Sequence, residues 1–536
     1  MTTRRRDRSQ IRSALAAVSF GFALGLPAVG MVFAPVPAVA QQFPAFRQAL
    51  AEGVAENRAL SAFYRETGYA PLWTGAEDRA RRTALVSALS RATEHGLPAA
   101  RYDLAGLLEA FAAVETERDR GLVEARASLT FLQYARDVHS GVLEPATVIA
   151  DIVRDLPRPD PAVLMRDFAA AEPVSFIRNL APRAPEYARL YRAKSVIEQQ
   201  IAAGGWGPRV QSGALRPGDR GEAVIQLRNR LIAMGFMPRV PSASYDGVMQ
   251  AAVQRFQIAH GIEADGIAGS ATIEAMNVSP EARLRSIVVA MERERWLNIP
   301  RGDRHVWVNL VDFTARIVDF DRVTFETRSV VGARNTQTPE FSDIMDHLEI
   351  NPDWTLPRSI VAEMWGALSS GGAGHLQLID SRGNVVPREA VDIGAYSPTS
   401  LPFELRQPPG PGNPLGEVKF MFPNAHAIYL HDTPSRSLFG RDVRAYSHGC
   451  IRLQDPREFA YELLRPQEAD PVDFYHRIQR SGRETHVNLE TPIPVHLVYR
   501  TAFTSVDGTM NYRNDVYGRD ERLYDALVRA GVEVGA

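Results

Sequence analysis

A chain of 536 residues is too long to bury one ordinary hydrophobic core, so two to four domains are expected. Its composition, 45% apolar and 23% charged, is that of a globular protein, and a net charge of −2 gives no long-range pull toward nucleic acid or an anionic membrane surface. Nearly all the positive charge is arginine, since Lys194 and Lys419 are the only lysines, and this bias is compositional more than functional.

The chain opens on Arg4, Arg5, Arg6, Arg8 and Arg12, followed by a mostly apolar stretch from Ala14 to Phe33 and by Ala38-Val39-Ala40. That order reads as a signal peptide over 1–40, cleaved at the A-x-A site and delivering the protein to the periplasm. The length of the apolar stretch keeps a retained anchor as the alternative. Cys450 is the single cysteine. Exported proteins usually spend cysteines on disulfides, so a lone thiol is either buried or used.

From 41 to 210 apolar residues recur at spacings of three and four, as in Phe43 to Leu60, Thr83 to His95 and Val123 to Val138, with Gly and Pro between them. The segment reads as a helical scaffold with no cluster of chemical groups. A smaller unit follows at 211–280. Val224, Leu227 and Leu231 share one helical face, Met249, Val253 and Phe256 a second, and Ile273 and Met276 a short third. Asp246-Gly247 and Asp265-Gly266 supply the turns, which gives a three-helix bundle.

Residues 281–304 hold a connecting helix, with Leu284, Ile287, Val288 and Met291, expected to pack on the scaffold. The period then shortens. His305 to Leu310, Ala315 to Phe320, Thr324 to Val331, Val418 to Phe422, Ala427 to His431, His486 to Leu489 and Val495 to Tyr499 read as strands. A mainly β, sandwich-like domain is expected over 305–500, with a C-terminal tail at 501–536. Within it, about 355–415 is rich in Gly, Ser and Pro and reads as a lid.

The chemistry concentrates in Ile428-Tyr429-Leu430-His431-Asp432-Thr433-Pro434 and Tyr446-Ser447-His448-Gly449-Cys450-Ile451-Arg452. Cysteine attacks as thiolate, and a thiol of ordinary pKa is only a few per cent ionised near neutrality. His431, at the end of a strand, is placed to take that proton. Gly449 lets the chain turn sharply, so that N–H groups beside Cys450 face the same carbonyl as the thiol. A zinc hydrolase is disfavoured, because H-E-x-x-H and H-x-H are both absent. A serine transpeptidase needs S-x-x-K, but Tyr191 and Gly416 stand three residues before the two lysines. No metal and no cofactor is expected.

The pattern of a histidine, fifteen residues, then Ser-His-Gly-Cys, an apolar residue and Arg resembles the active-site motif of the L,D-transpeptidases, enzymes of the YkuD-type fold. By that resemblance Cys450 is the nucleophile, His431 its general base, and the backbone at His448, Gly449 and Cys450 an oxyanion hole. Arg452, Ser447, Tyr429 and Trp354 become substrate-binding candidates. Buried packing is the alternative for the two aromatics, and bracing of the turn for Ser447. Lys419 is left between a structural role and a substrate contact, and His426 reads as a surface or packing residue.

The bundle, through Leu215, Gly218, Gly221, Tyr245-Asp246-Gly247, Phe256-Gln257, Asp265-Gly266 and Gly269, resembles the peptidoglycan-binding domain of wall enzymes. Tyr69-Ala70-Pro71-Leu72-Trp73, Val331-Gly332 with Thr338-Pro339, Asn351-Pro352-Asp353-Trp354, Gln407-Pro408-Pro409-Gly410, Asn413-Pro414-Leu415-Gly416 and Tyr517-Gly518-Arg519-Asp520 resemble the large multi-domain branch typified by Gram-negative enzymes. Asp353 and Pro414 depart from it.

The resemblance implies peptidoglycan stem peptides and glycan strands as partners, alongside other wall-synthesis enzymes, and inhibition by carbapenems. The implied reaction is 3→3 cross-linking through a Cys450 thioester with loss of D-Ala. The same site would serve an L,D-carboxypeptidase or an enzyme linking or cleaving lipoprotein and peptidoglycan. A catalytically silent wall-binding scaffold is the non-enzyme alternative.

Overall fold

The computed structural model describes residues 44–533, so the signal-peptide reading of 1–40 lies outside the described residues. Among them no helix is long and apolar enough to cross a membrane.

The scaffold is built around the 24-residue helix Glu117–Ser140, whose start is fixed by a Thr116/Asp119 capping box. Gly121 lets the helix Ala45–Gly53 come close, since a Cβ there would sit 2.4 Å from the Phe46 carbonyl oxygen. Glu124, on the same long helix, is fully buried. Its carboxylate accepts hydrogen bonds from the N–H groups of Leu72, Trp73 and Thr74 and from the Tyr64 hydroxyl. The Leu72-Trp73-Thr74 backbone is therefore folded around a carboxylate that would cost several kcal/mol to bury unpaired.

The bundle consists of helices Glu222–Ala233, Gly247–Ala259 and Ser270–Met276. Val224, Leu227, Leu231, Met249, Val253, Phe256, Ile273 and Met276 fill its core. Asp246 caps the second helix through the Met249 N–H, and the Tyr245 hydroxyl donates to the Gly266 carbonyl. Helix Pro280–Trp296 then buries Leu284, Ile287, Val288 and Met291 against Tyr187, Leu190 and Ile197 of helix Pro185–Ala202.

The last domain is made of strands, in chain order β1 (Arg304–Asn309), β2 (Thr314–Asp319), β3 (Arg322–Gly332) and β4 (Ser342–Ile350). An insertion carries β5 (Trp354–Thr355), β6 (Gln377–Ile379), β7 (Val385–Val386) and β8 (Glu404–Gln407). The main sheet resumes with β9 (Val418–Met421), β10 (Leu430–His431), β11 (Ala445–Ser447), β12 (Ile451–Leu453) and the long β13 (Thr485–Val498). The hairpin β14 (Ala502–Thr504) and β15 (Met510–Tyr512) follows.

Nine strands form one sheet in the order β11-β3-β12-β10-β9-β4-β13-β1-β2, and β2 pairs also with β3. The sheet thus curls until β2 meets β3. Its interior holds Val306, Val308, Leu348, Phe420, Leu430, Ile451 and Leu497, all fully buried.

The region 355–415 departs from a plain loop. β5, β8, β6 and β7 form a four-stranded sheet over a small core of Leu356, Val361, Leu368, Leu376, Leu378, Ile393, Leu401 and Leu405. The segment after 501 is packed as well, with Ala502, Tyr512, Leu523 and Leu527 in the core shared with the helix Pro280–Trp296.

Candidate active site

Strand pairing assembles the site. β10 lies parallel to β12, with Leu430 beside Ile451 and His431 beside Arg452. Side chains alternate along a strand, so Tyr429, His431, Cys450 and Arg452 share the face opposite to buried Leu430 and Ile451. β9 pairs antiparallel on the other side and sets Lys419 against His431.

The turn holding Cys450 is braced from within and from behind. Ser447 is buried, donates from Oγ to the Cys450 carbonyl at 2.5 Å, and accepts from the Gly449 N–H at 3.2 Å. Its hydroxyl is spent inside the turn, so it braces and does not face substrate. From behind, Thr338 Oγ1 donates to the Gly449 carbonyl at 2.7 Å, while Thr336 Oγ1 and the Ala333 N–H donate to the Ser447 carbonyl.

The loop 332–338 is itself held by the C-terminal segment. The Tyr517 hydroxyl donates to the Gly332 carbonyl at 2.6 Å, and Arg519 donates to the Thr338 carbonyl and Gln337 Oε1. The Gly449 N–H is committed to Ser447, whereas the N–H groups of His448 and Cys450 have no partner among the described residues. Of the three N–H groups expected to face an oxyanion, two are thus without an internal partner among the described residues.

His431 is buried, and its Nδ1 lies 2.5 Å from the Asp432 carbonyl oxygen. A carbonyl only accepts, so Nδ1 carries the hydrogen and Nε2 keeps the lone pair of a base. Burial, with help from the Arg452 and Lys419 cations, pushes the imidazole down to about 3. His431 is therefore neutral throughout the physiological range, with Nε2 in the form that accepts a hydrogen bond.

Asp432 is fixed in turn, with one carboxylate oxygen on the Glu417 N–H and the other on the Thr433 N–H and Arg436. Gly416 makes room for it. Its φ is +65°, and a Cβ there would lie 2.2 Å from Asp432 Oδ2. Gly416→Ala is expected to destabilise by at least the ~1–2 kcal/mol of a left-handed residue and to slow acylation, because Asp432 sets the His431 ring. Gly412→Ala, whose Cβ would meet only Gln407 at 3.8 Å, serves as the control. Thermal unfolding and acylation rates of the two variants make the comparison.

The half-buried Cys450 thiol donates to the Ala427 carbonyl at 3.6 Å and not to His431, so the expected thiol–imidazole hydrogen bond is absent from this state. Burial raises the thiol pKa above its ordinary value despite hydrogen bonds from Tyr429 and the fields of Lys419 and Arg452. A thiol of raised pKa is protonated at neutrality and reacts with increasing rate as pH rises through that pKa. Alkylation of Cys450 by iodoacetamide, followed by intact mass, is therefore expected to have its midpoint above about 8.5. A midpoint near 6 would mean a thiolate–imidazolium pair already formed at rest.

The remaining candidates separate. Tyr429 packs edge-on to His431, ring centroids 5.6 Å apart, with Lys419 Nζ 4.7 Å above its ring. Lys419 is also paired with Glu349 Oε2 at 2.8 Å. Arg452 has its Nε buried without a hydrogen-bond partner among the described residues. Trp354 packs on the insertion's core, and Asp353 beside it pairs with Arg406. His426 is exposed, 5.1 Å from the Phe341 ring. His448 points outward to Glu363 at the end of the insertion's helix Arg358–Glu363, 3.0 Å away, which brings the insertion onto the Cys450 turn. Neither Thr338 nor Glu363 was singled out by sequence reasoning as a neighbour of the turn, though Thr338-Pro339 belongs to a matched stretch.

Three family models match parts of the chain. Residues 303–484 match the model of the L,D-transpeptidase catalytic domain, 220–276 that of a peptidoglycan binding domain, and 58–193 that of a scaffold domain. A Haemophilus influenzae protein whose name proposes an L,D-transpeptidase is 29% identical over 241 residues, 44% of this chain; the match spans about half (48%) of that relative's length. Among solved structures, an L,D-transpeptidase from Xylanimonas cellulosilytica is 14% identical with a TM-score of 0.17, covering 55% of this chain and 98% of that one. One from Stackebrandtia nassauensis is 13% identical with a TM-score of 0.21, covering 55% and 97%. The chain thus carries a YkuD-type L,D-transpeptidase catalytic domain together with a peptidoglycan-binding domain.

Proposed function

We propose that the protein is an exported peptidoglycan transpeptidase that forms 3→3 cross-links through a thioester on Cys450. The observation that carries this reading is the shared face of β10 and β12, which gathers a thiol, a neutral imidazole with a free Nε2 and an unpaired guanidinium.

As the stem peptide enters, Cys450 passes its proton to His431 Nε2 and the sulfur attacks the carbonyl carbon of the third residue. The oxyanion is met by the His448 and Cys450 N–H groups. The C–N bond to D-Ala breaks as His431 returns the proton to the departing amine, leaving a thioester. The side-chain amine of a second stem's third residue then attacks that carbonyl, the C–S bond breaks, and Cys450 regains a proton. Arg452, whose guanidinium has no carboxylate partner, is suited to hold a carboxylate of the stem. The bundle at 220–276 would keep the enzyme on the wall polymer, and the periplasm is where these substrates lie.

Incubation with purified disaccharide-tetrapeptide and analysis of products by mass spectrometry tests the reading. A dimer with loss of one D-Ala is expected. Tripeptide alone would make water the acceptor and the enzyme a carboxypeptidase, and an unchanged substrate would remove the reaction altogether.

A further inference from the structure

The face that bears His431 continues across the sheet. Register places Arg452 beside His431, His431 beside Lys419, Lys419 beside Glu349 and Glu349 beside His486, so one polar row crosses β12, β10, β9, β4 and β13. The transpeptidase reading uses the first part of this row. At its far end His347, two residues before Glu349 on β4 and therefore on the same face, joins Glu349 and His486. One donor atom from each of these three lies within 4.8 Å of the others.

We propose that His347, Glu349 and His486 bind a divalent transition-metal ion of the zinc class, at a site separate from the catalytic centre. Glu349 and His347 stand two strands from His431 and His486 three, so spacings of ~4.8 Å put the site roughly 10–14 Å away.

The donor geometry is prepared. His347 Nδ1 lies 2.6 Å from Asp346 Oδ1. A carboxylate only accepts, so Nδ1 carries the hydrogen and the Nε2 lone pair faces outward, the carboxylate–histidine arrangement that orients metal ligands. That Nε2 stands 3.5 Å from Glu349 Oε1. Two ligands bound at about 2.0–2.1 Å to a tetrahedral ion are about 3.4 Å apart, so the pair already has the spacing an ion requires.

Lys419 occupies only Oε2 of Glu349 and leaves Oε1 free for the ion. The third donor comes from the neighbouring strand. The His486 ring runs parallel to that of His347, 11° between planes and 5.4 Å between centroids, and is exposed, so it can rotate onto the ion and leave a fourth position to water. Two imidazoles and one carboxylate suit zinc, cobalt, nickel or copper and not calcium or magnesium. Bound there, the ion ties β4 to β13.

The test uses the untagged mature chain with Cys450→Ala, which removes the only thiol as a competing ligand, titrated with cobalt(II) chloride and followed by visible absorption and calorimetry. One equivalent of cobalt with d–d bands of a low-coordinate site is expected, displaced by zinc. Asp346→Asn should weaken binding by about ten- to a hundredfold, and His486→Ala, a change at an exposed side chain that leaves the fold intact, should abolish the bands. Absence of binding would overturn the proposal, as would binding that His347→Ala and His486→Ala leave unchanged.

Discussion

Glu340→Gln is expected to destabilise the protein by about 3–5 kcal/mol, the usual cost of breaking a buried charge network at one partner. Glu340 is buried between Arg293 and Arg519, themselves 3% and 1% exposed, and accepts from both at 2.9–3.0 Å. Its backbone also joins the scaffold to the sheet, since its carbonyl accepts from the Val153 N–H and its N–H donates to the Asp151 carbonyl. The substitution leaves two guanidiniums under-neutralised where water cannot reach them.

The effect has a pH signature. Burial raises the Glu340 carboxyl, but the Arg293, Arg519 and Arg154 cations outweigh it and hold the group below its ordinary value. A depressed carboxylate contributes stability above its unfolded pKa and loses it as pH falls through the folded one. The gap between wild type and Glu340→Gln should therefore be full at pH 7 and close in acid, as urea unfolding at several pH values will read. Acylation should fall too, because Arg519 holds Thr338, and Thr338 holds the turn at Gly449. A variant as stable as wild type at pH 7 would show that the network is not a clamp.

The second large effect belongs to His431. His431→Ala is expected to slow acylation of Cys450 by about 10²–10⁴-fold, the range for a positioned general base. The resting thiol is protonated, so the proton must leave as the sulfur attacks, and Nε2 of His431 is the acceptor on that face. Without it, the rate should follow the thiol's own ionisation and rise steeply toward alkaline pH, and added imidazole should restore part of it. A purely structural histidine would leave the shape of the pH profile unchanged and give no imidazole rescue. Rates from intact mass against time, at pH 6 to 10, separate the two.

How much of this was legible in the sequence depended on distance along the chain. Cys450 and His431 were visible because the nucleophile, its turn and its base lie within one short stretch whose residue types have few other uses. The bundle's core was visible because Val224, Leu227, Leu231, Met249, Val253 and Phe256 repeat at helical spacing. β4 escaped notice because Asp343, Asp346, His347 and Glu349 interrupt its apolar residues. β11 and β12 are three residues each, too short to show a period.

The region 355–415 read as loop because its strands have two to four residues and its core is spread over eight separated side chains. Tyr517-Gly518-Arg519 could be matched as a pattern without its purpose, which is to brace a loop almost two hundred residues earlier in the chain. The same holds for His347, Glu349 and His486, which only strand register brings together.

The most direct measurement is the intact mass of the protein after brief incubation with a purified tetrapeptide stem, run beside Cys450→Ala and His431→Ala. Wild type alone should gain the mass of the tripeptide acyl group with one D-Ala released, and the adduct should fall to hydroxylamine as a thioester does. An adduct that persists in Cys450→Ala, or a wild type that binds wall polymer yet forms no adduct and frees no D-Ala, would contradict a thioester enzyme at Cys450.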